Sequence, residues 1–216
     1  MDYDSEKGGL IQFGFLKADQ ILIPLEKLYR RYTGSVWQQA LDFEDVSERI
    51  QYLVTQVEEI TKIDNFGAYL TAMLEIDAFF MNEDRHTNNI AVIYNEKTQK
   101  YELSPFFDQG LCMFADINQD YPIDQSLEYC LGKIEAKPFC SDFDIQLDAA
   151  EELYGIQIGF QFTFKDIQIY LQKNSENYPR IHRLSIENLA GLCYNFICDA
   201  YAHDTLLLWI ARGEIE

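Results

Sequence analysis

The residues best suited to chemistry lie in two short runs, MNEDRHTNNIAVI from Met81 and SPFFDQG from Ser104. In the first, Asp84 offers a carboxylate, and Asn89, five residues on, offers an amide oxygen. In the second, Asp108 offers another carboxylate and is followed by Gln109 and Gly110. Transfer of a phosphoryl group from ATP needs little covalent chemistry from a protein. It needs a carboxylate that orients an attacking hydroxyl and takes its proton, and oxygen ligands that hold magnesium against the phosphates. Magnesium favours hard oxygen donors, draws one or two from side chains and completes its shell with water and phosphate. Asp84 suits the base, and Asn89 and Asp108 suit the metal, provided that a hairpin folds the second run back onto the first.

The surrounding pattern supplies such a hairpin. Asn89 to Tyr94 and Tyr101 to Ser104 are short β-rich runs joined by the polar turn Asn95 to Lys100. Upstream, Val46, Ile50, Leu53, Val57 and Ile60 recur at helical steps and predict a helix over about 44–62. Asp64 or Asn65 is placed to cap the next helix, whose buried face takes in Phe66, Leu70, Met73, Leu74, Asp77 and Phe80. That helix is apolar nearly all round, which puts it at the centre of the fold. Asp77 stands out on it, because a buried carboxylate needs partners. Arg85 or the backbone of the following loop can supply them, so Asp77 is a candidate support for the loop. Glu75 shares the same apolar helix. Near the start, 10–16 and 21–25 are apolar runs that read as a first hairpin, and helices are predicted around 141–154, 163–173 and 184–212. The expected class is α+β, mainly α: a helical body with short β-hairpins, without repeats or internal linkers.

Composition narrows the range of functions. Apolar residues make up 48% and aromatic residues 14% of the 216 residues, enough for a packed core. With 17 Lys and Arg against 36 Asp and Glu, the formal net charge is -19. Phosphate backbones and anionic bilayers repel such a surface, so neither nucleic acid nor membrane is an expected partner, whereas a basic protein partner or peptide is compatible. The same acidity also serves solubility alone. Five cysteines (Cys112, Cys130, Cys140, Cys193, Cys198) without a CxxC pair, and three histidines, build no zinc spacing and read as reduced core residues. The acidic start MDYDSEKGG is unlike a signal peptide, and the apolar stretch from Leu189 to Ile210 is broken by Asp199, His203 and Asp204. A cytoplasmic protein is expected.

DRHTNN followed by SPFFDQG resembles the HipA-like protein kinases of bacteria and, more distantly, the DRHxxN loop of phosphatidylinositol kinases. The five-residue step from Asp84 to Asn89 is also the spacing of the protein-kinase catalytic loop, and the Asp-x-Gly at Asp108 stands where the DFG metal ligand does. LEIDAFFMNEDRH and KPFCSDFDIQLDAAEELYG are similar in texture, and the likeness spans roughly 20–212. The resemblance implies the helical C-lobe of the protein-kinase-like fold over 26–216, after a leader and hinge-side hairpin at 1–25. It implies a serine/threonine kinase that uses ATP and Mg2+, with Asp84 catalytic and Asn89 and Asp108 as metal ligands. It also implies a protein substrate and a toxin–antitoxin or phage-defence setting. His86 matches the family's histidine and reads as a prop for the loop rather than a base. Arg85 suits either a phosphate or an acidic neighbour.

The family's N-lobe has no counterpart here. Gly8-Gly9 is not a GxGxxG and no strand lysine of the VAIK type follows it, with Lys7 and Lys17 candidates in name only. The resemblance then implies a complementary N-lobe polypeptide that completes the enzyme, as in split HipA-like systems, or an antitoxin-like protein as partner. The alternatives are a catalytically silent interaction module, a decayed fragment, and phosphotransfer to a small molecule, since a fold does not fix the acceptor. Phe106, Phe107 and Phe114 flank Asp108 and read as core or as a packing switch. The pairs Glu58-Glu59 and Glu151-Glu152 read as solvated faces. Trp37, Tyr29 and Tyr32, near Arg30 and Arg31, form either an interaction patch or a plain surface helix.

Overall fold

The computed structural model describes residues 2–4, 9–11, 15–32, 36–116, 118–122 and 124–158, together with positions 165, 166 and 169. The architecture is mixed α+β, with helices packed on one another, a three-stranded antiparallel sheet and a separate two-stranded one. In chain order the elements are β1 Asp2–Asp4, β2 Gly9–Ile11, β3 Gln20–Pro24, α1 Leu25–Tyr32, α2 Val36–Leu41, α3 Val46–Thr61, α4 Phe66–Phe80, β4 Ala91–Asn95, β5 Lys100–Leu103, α5 Leu127–Lys133 and α6 Phe143–Tyr154.

The hairpin expected around Asn95–Lys100 forms, with β4 and β5 antiparallel and Tyr94 opposite Tyr101. The first hairpin does not form as expected. Residues 21–24 belong to β3, whose partner is β4, with Ile23 opposite Val92 and Gln20 opposite Asn95. Gly9–Ile11, at the start of the other expected strand, pairs instead with Asp2–Asp4. The sheet order is therefore β3-β4-β5, and β4, at its centre, leads straight out of the loop that carries Asp84 and Asn89. Leu25 N donates to Ile90 O at 2.9 Å and so fastens the start of α1 to the same point.

α3 begins where Asp45 accepts a hydrogen bond from Glu48 N and ends at Lys62 in the left-handed region, φ 61°. Its buried face is Ile50, Leu53, Val54 and Val57, close to the predicted stripe. α4 starts at Asn65, whose side chain makes no capping bond. The cap comes from α3 instead: Glu58 Oε1 accepts from Phe66 N at 3.0 Å and from Gly67 N at 3.4 Å. Glu58 is thus a tie between two helices, not a solvated residue. α4 lies at the centre as expected, with Phe66, Leu70, Met73, Leu74 and Asp77 buried, but Phe80, at its last position, is 40% exposed. The helix α6 packs across α4 and α3, and one core joins the three helices with Leu25, Leu28, Tyr29, Ile90 and Val92. Tyr29 belongs to that core rather than to a surface patch, with its hydroxyl donating to Leu53 O. Cys112, Cys130 and Cys140 are free thiols. The helices predicted around 163–173 and 184–212 lie outside the described residues, save positions 165, 166 and 169, as do Cys193, Cys198 and the side chains of Tyr32 and Trp37.

The α4–α6 seam carries two features with measurable consequences. A Cβ at Gly67 would lie 2.4 Å from Tyr154 Cε1 and 2.5 Å from its Cδ1, so the helices meet here through a glycine. Gly67→Ala is expected to cost about 1–3 kcal/mol in denaturant unfolding, because the ring must move out of a packed seam. In a Tyr154→Ala background the same methyl costs little; an equal cost in both backgrounds contradicts this contact. The second feature is Glu151. Burial, then the neighbouring Glu75 and Asp148 carboxylates, push its carboxyl up to about 7. The folded chain holds a proton there that the unfolded chain releases at lower pH, so this contribution is complete below the ordinary carboxylate range and is lost as pH rises through about 7. Thermal melting from about pH 5 to about pH 7 is expected to show a fall in Tm whose slope shrinks in Glu151→Gln. An unchanged slope in that variant rules the assignment out.

Candidate functional site

The site is built on the C-terminal end of α4. Met81 closes the helix in the left-handed region at φ 51°, and Asn82 N reaches back to Asp77 O at 2.8 Å. The chain then folds over the Asp77 side chain, which is wholly buried. Arg85 Nε donates to Asp77 Oδ2 at 2.6 Å, Arg85 Nη2 to Oδ1 at 2.9 Å, and Asn82 Nδ2 to Oδ1 at 2.7 Å. Burial pushes the Asp77 carboxyl above the ordinary carboxylate range, against the opposing pull of the Arg85 guanidinium and the Asn82 amide. Arg85, also wholly buried, is a support for the loop and is not placed to meet a phosphate.

The guanidinium has one further nitrogen, and its contacts join the two sequence runs. Arg85 Nη1 donates to Asn89 O at 2.8 Å and to Phe107 O at 3.1 Å. Two carbonyls that share one nitrogen lie within two hydrogen-bond lengths of each other. Asn89 and the residue before Asp108 are therefore brought together at the level of the backbone. Asp108 follows with φ 56°, a left-handed conformation that few residues other than glycine adopt and that Asp tolerates, and its side chain is exposed.

Asp84, Asn89 and His86 sit on a loop closed by its own bonds. His86 N donates to Asp84 O at 2.9 Å, Asn89 N to His86 O at 2.8 Å, and Asn89 Nδ2 to Asp84 O at 2.9 Å. The amide of Asn89 is thus fixed through its nitrogen. The Asp84 side chain remains 30% exposed, and its Oδ1 lies 3.7 Å from His86 Nε2, too long for a hydrogen bond. His86 Nδ1 is buried without a hydrogen-bond partner among the described residues, so His86 props the loop through its backbone rather than its imidazole. Gly110 is exposed and a Cβ there would meet nothing within 4 Å, so space does not demand glycine at that position. The three phenylalanines divide: Phe114 is buried, whereas Phe106 and Phe107 are half-buried, Phe106 against Tyr69 with ring centroids 5.1 Å apart. Burial pushes the Cys112 thiol up to about 12, which leaves it an unreactive neighbour.

Several residues that hold the site were not among those the sequence singled out. Asn82 bonds both Asp77 and the backbone of Asp84, the latter through Asp84 N to Asn82 Oδ1 at 3.3 Å. Glu83 binds Tyr121 and the amide of Glu135. A polar residue just past the end of an apolar helix is a usable sign for Asn82. Nothing local points to Tyr121.

Among the described residues no group of three or more His, Cys, Asp and Glu side chains gathers as a metal site. Magnesium asks for less than that, since one carboxylate and one amide oxygen with water and phosphate suffice. Asn89 Oδ1 and the exposed Asp108 carboxylate are oxygen donors of the kind it takes. Comparison with known proteins brings no match: no family model fits the chain, and neither a curated protein nor a solved structure is similar to it.

Removal of one member of the buried pair leaves an uncompensated charge, so Asp77→Ala is expected to cost about 3–5 kcal/mol in urea unfolding. Replacement of both members by apolar residues, Asp77→Leu with Arg85→Met, is expected to recover most of that loss. A single-variant cost below about 1 kcal/mol contradicts the role given to the pair.

Proposed function

We propose that the chain carries the catalytic half of an ATP- and magnesium-dependent phosphotransferase, a serine/threonine kinase of the HipA-like kind. The observation that carries this reading is the Arg85 guanidinium, whose Nη1 holds the carbonyls of Asn89 and Phe107 and so gathers the two ligand-bearing segments beside Asp84. Asp84, partly open to solvent, orients the acceptor hydroxyl and takes up its proton. Asn89 Oδ1 and the Asp108 carboxylate would hold magnesium, which when bound neutralises phosphate charge. The tie from Asn89 Nδ2 to Asp84 O sets the amide's orientation, and the same tie couples the base to the metal ligand. No helix among the described residues is long and apolar enough to cross a membrane.

The sequence holds no glycine-rich phosphate loop, so the nucleotide's remaining contacts come from a complementary N-lobe polypeptide or from another segment of a longer chain. A cytoplasmic setting and a basic protein substrate agree with the net charge of -19.

The test is transfer of label from γ-labelled ATP, for the chain alone and joined to its complementing polypeptide. Asp84→Ala is expected to lower transfer by about 10²- to 10⁴-fold, with unchanged assembly and a Tm still set by the α3–α4–α6 core. Transfer that persists in Asp84→Ala excludes Asp84 as the base. If MgATP shifts the Tm of neither the chain nor the assembled pair, and no label moves, the silent interaction module stands instead.

A further inference from the structure

The segment that leaves Asp108 does not run freely away from the site. Glu83 N donates to Leu111 O at 3.1 Å, and Met113 N donates to Phe80 O at 2.9 Å, so 111–113 lies along the end of α4 and the start of the loop. Met113 and Phe114 then take φ 51° and 59°, two consecutive left-handed residues that are not glycine. Such conformations are costly and persist only where surrounding contacts enforce them. Phe114, 0% exposed, meets the ring of Tyr121, 1% exposed, edge-on at 5.2 Å. The Tyr121 hydroxyl donates to Glu83 Oε1, and Glu135 N donates to the same oxygen at 3.3 Å. Lys133 Nζ lies 5.7 Å above the Tyr121 ring while bonding Asp120 Oδ1 at 2.8 Å. Glu83, next to Asp84, is therefore the point at which the loop of Asp84 meets Leu111, Tyr121 and the chain just past α5.

We propose that Glu83 and Tyr121 are positioning residues, whose hydrogen bond holds the loop of Asp84 in register with the segment that begins at Asp108. This inference rests on the function proposed above for Asp84 and Asp108. Burial pushes the Tyr121 hydroxyl up, with the Glu83 carboxylate acting in the same direction, so the phenol stays a donor throughout the working pH range. Glu83 is half-buried, and burial raises its carboxyl while Tyr121 and the Glu135 amide pull it back. Arg85 fixes Asn89 and Phe107, and Tyr121 fixes the residue before Asp84.

Tyr121→Phe removes only the donor and keeps the ring against Phe114, whereas Glu83→Gln keeps a carbonyl oxygen for Tyr121 and Glu135. Amide hydrogen exchange at Asp84, His86 and Asn89 is expected to quicken about tenfold in Tyr121→Phe, with α3 and α4 unchanged, and to stay near wild type in Glu83→Gln. In the transfer assay Tyr121→Phe is expected to lower kcat about tenfold at unchanged KM for nucleotide, and Glu83→Gln to retain most of kcat. Exchange that does not quicken at Asp84–Asn89 overturns the inference whatever the activity, and quickened exchange with an unchanged kcat overturns the positioning role. If the wild-type protein transfers no label in any arrangement, the proposed function fails separately, and the exchange result alone decides whether the bond sets the loop.

Discussion

The structure around the loop depends on one buried ion pair. Asp77 and Arg85 are both wholly out of water, a placement that costs several kcal/mol per ion unless the two are paired and well hydrogen-bonded. Here Asp77 takes three hydrogen bonds, and the guanidinium spends Nε and Nη2 on the carboxylate and Nη1 on two carbonyls. An apolar pair of the same volume gives comparable stability without any of these bonds. What the ion pair adds is definition. A planar fork with fixed donor directions admits one arrangement of residues 82–89 and of Phe107, whereas a methionine admits many.

That definition is useful only on a rigid base, and α4 provides it. The helix is held at its start by Glu58 from α3, along its flank by α6 through the Gly67–Tyr154 contact, and again by Glu75, whose two oxygens accept from Gln157 N at 2.7 Å and Ile158 N at 2.6 Å. Two carboxylates two residues apart on one apolar helix therefore do different work. Glu75 ties α4 to the chain beyond α6, and Asp77 ties it to the loop. Electrostatics add a second requirement. With a net charge of -19 and further carboxylates at 84 and 108, the proposed nucleotide would be repelled unless divalent charge came with it.

The elements legible in the sequence were those with strong local signals. The stripe Ile50, Leu53, Val57 marked α3, unbroken apolarity marked α4 as central, and two β-rich runs about a polar turn marked β4 and β5. Asp77 was legible for a chemical reason: a carboxylate on an apolar helix needs a cation, and Arg85 is the one within reach of the following turn. The pairing of β3 with β4 was hidden because local pattern favours neighbours in sequence, while the true partner lies beyond four helices. Phe80 was misread as buried because helical spacing does not say where the covering elements stop. Glu58 looked like half of a solvated pair, because a cap donated from another helix leaves no mark at its own position. The short helices α1, α2 and α5 span too few residues for a periodic signal, and Tyr121 meets Glu83 only through tertiary packing.

The central claim, that the Arg85 clamp gathers one divalent-ion site from Asn89 and Asp108, is most directly tested with Mn2+ as a paramagnetic probe in place of magnesium, in the presence of nucleotide. The account predicts that the Asn89 side-chain amide and the backbone amide of Asp108 broaden together at the lowest Mn2+ concentrations, and that added Mg2+ reverses both. Broadening that spreads over the acidic surface without favouring that pair, or that reaches Asn89 and Asp108 at unrelated concentrations, contradicts it.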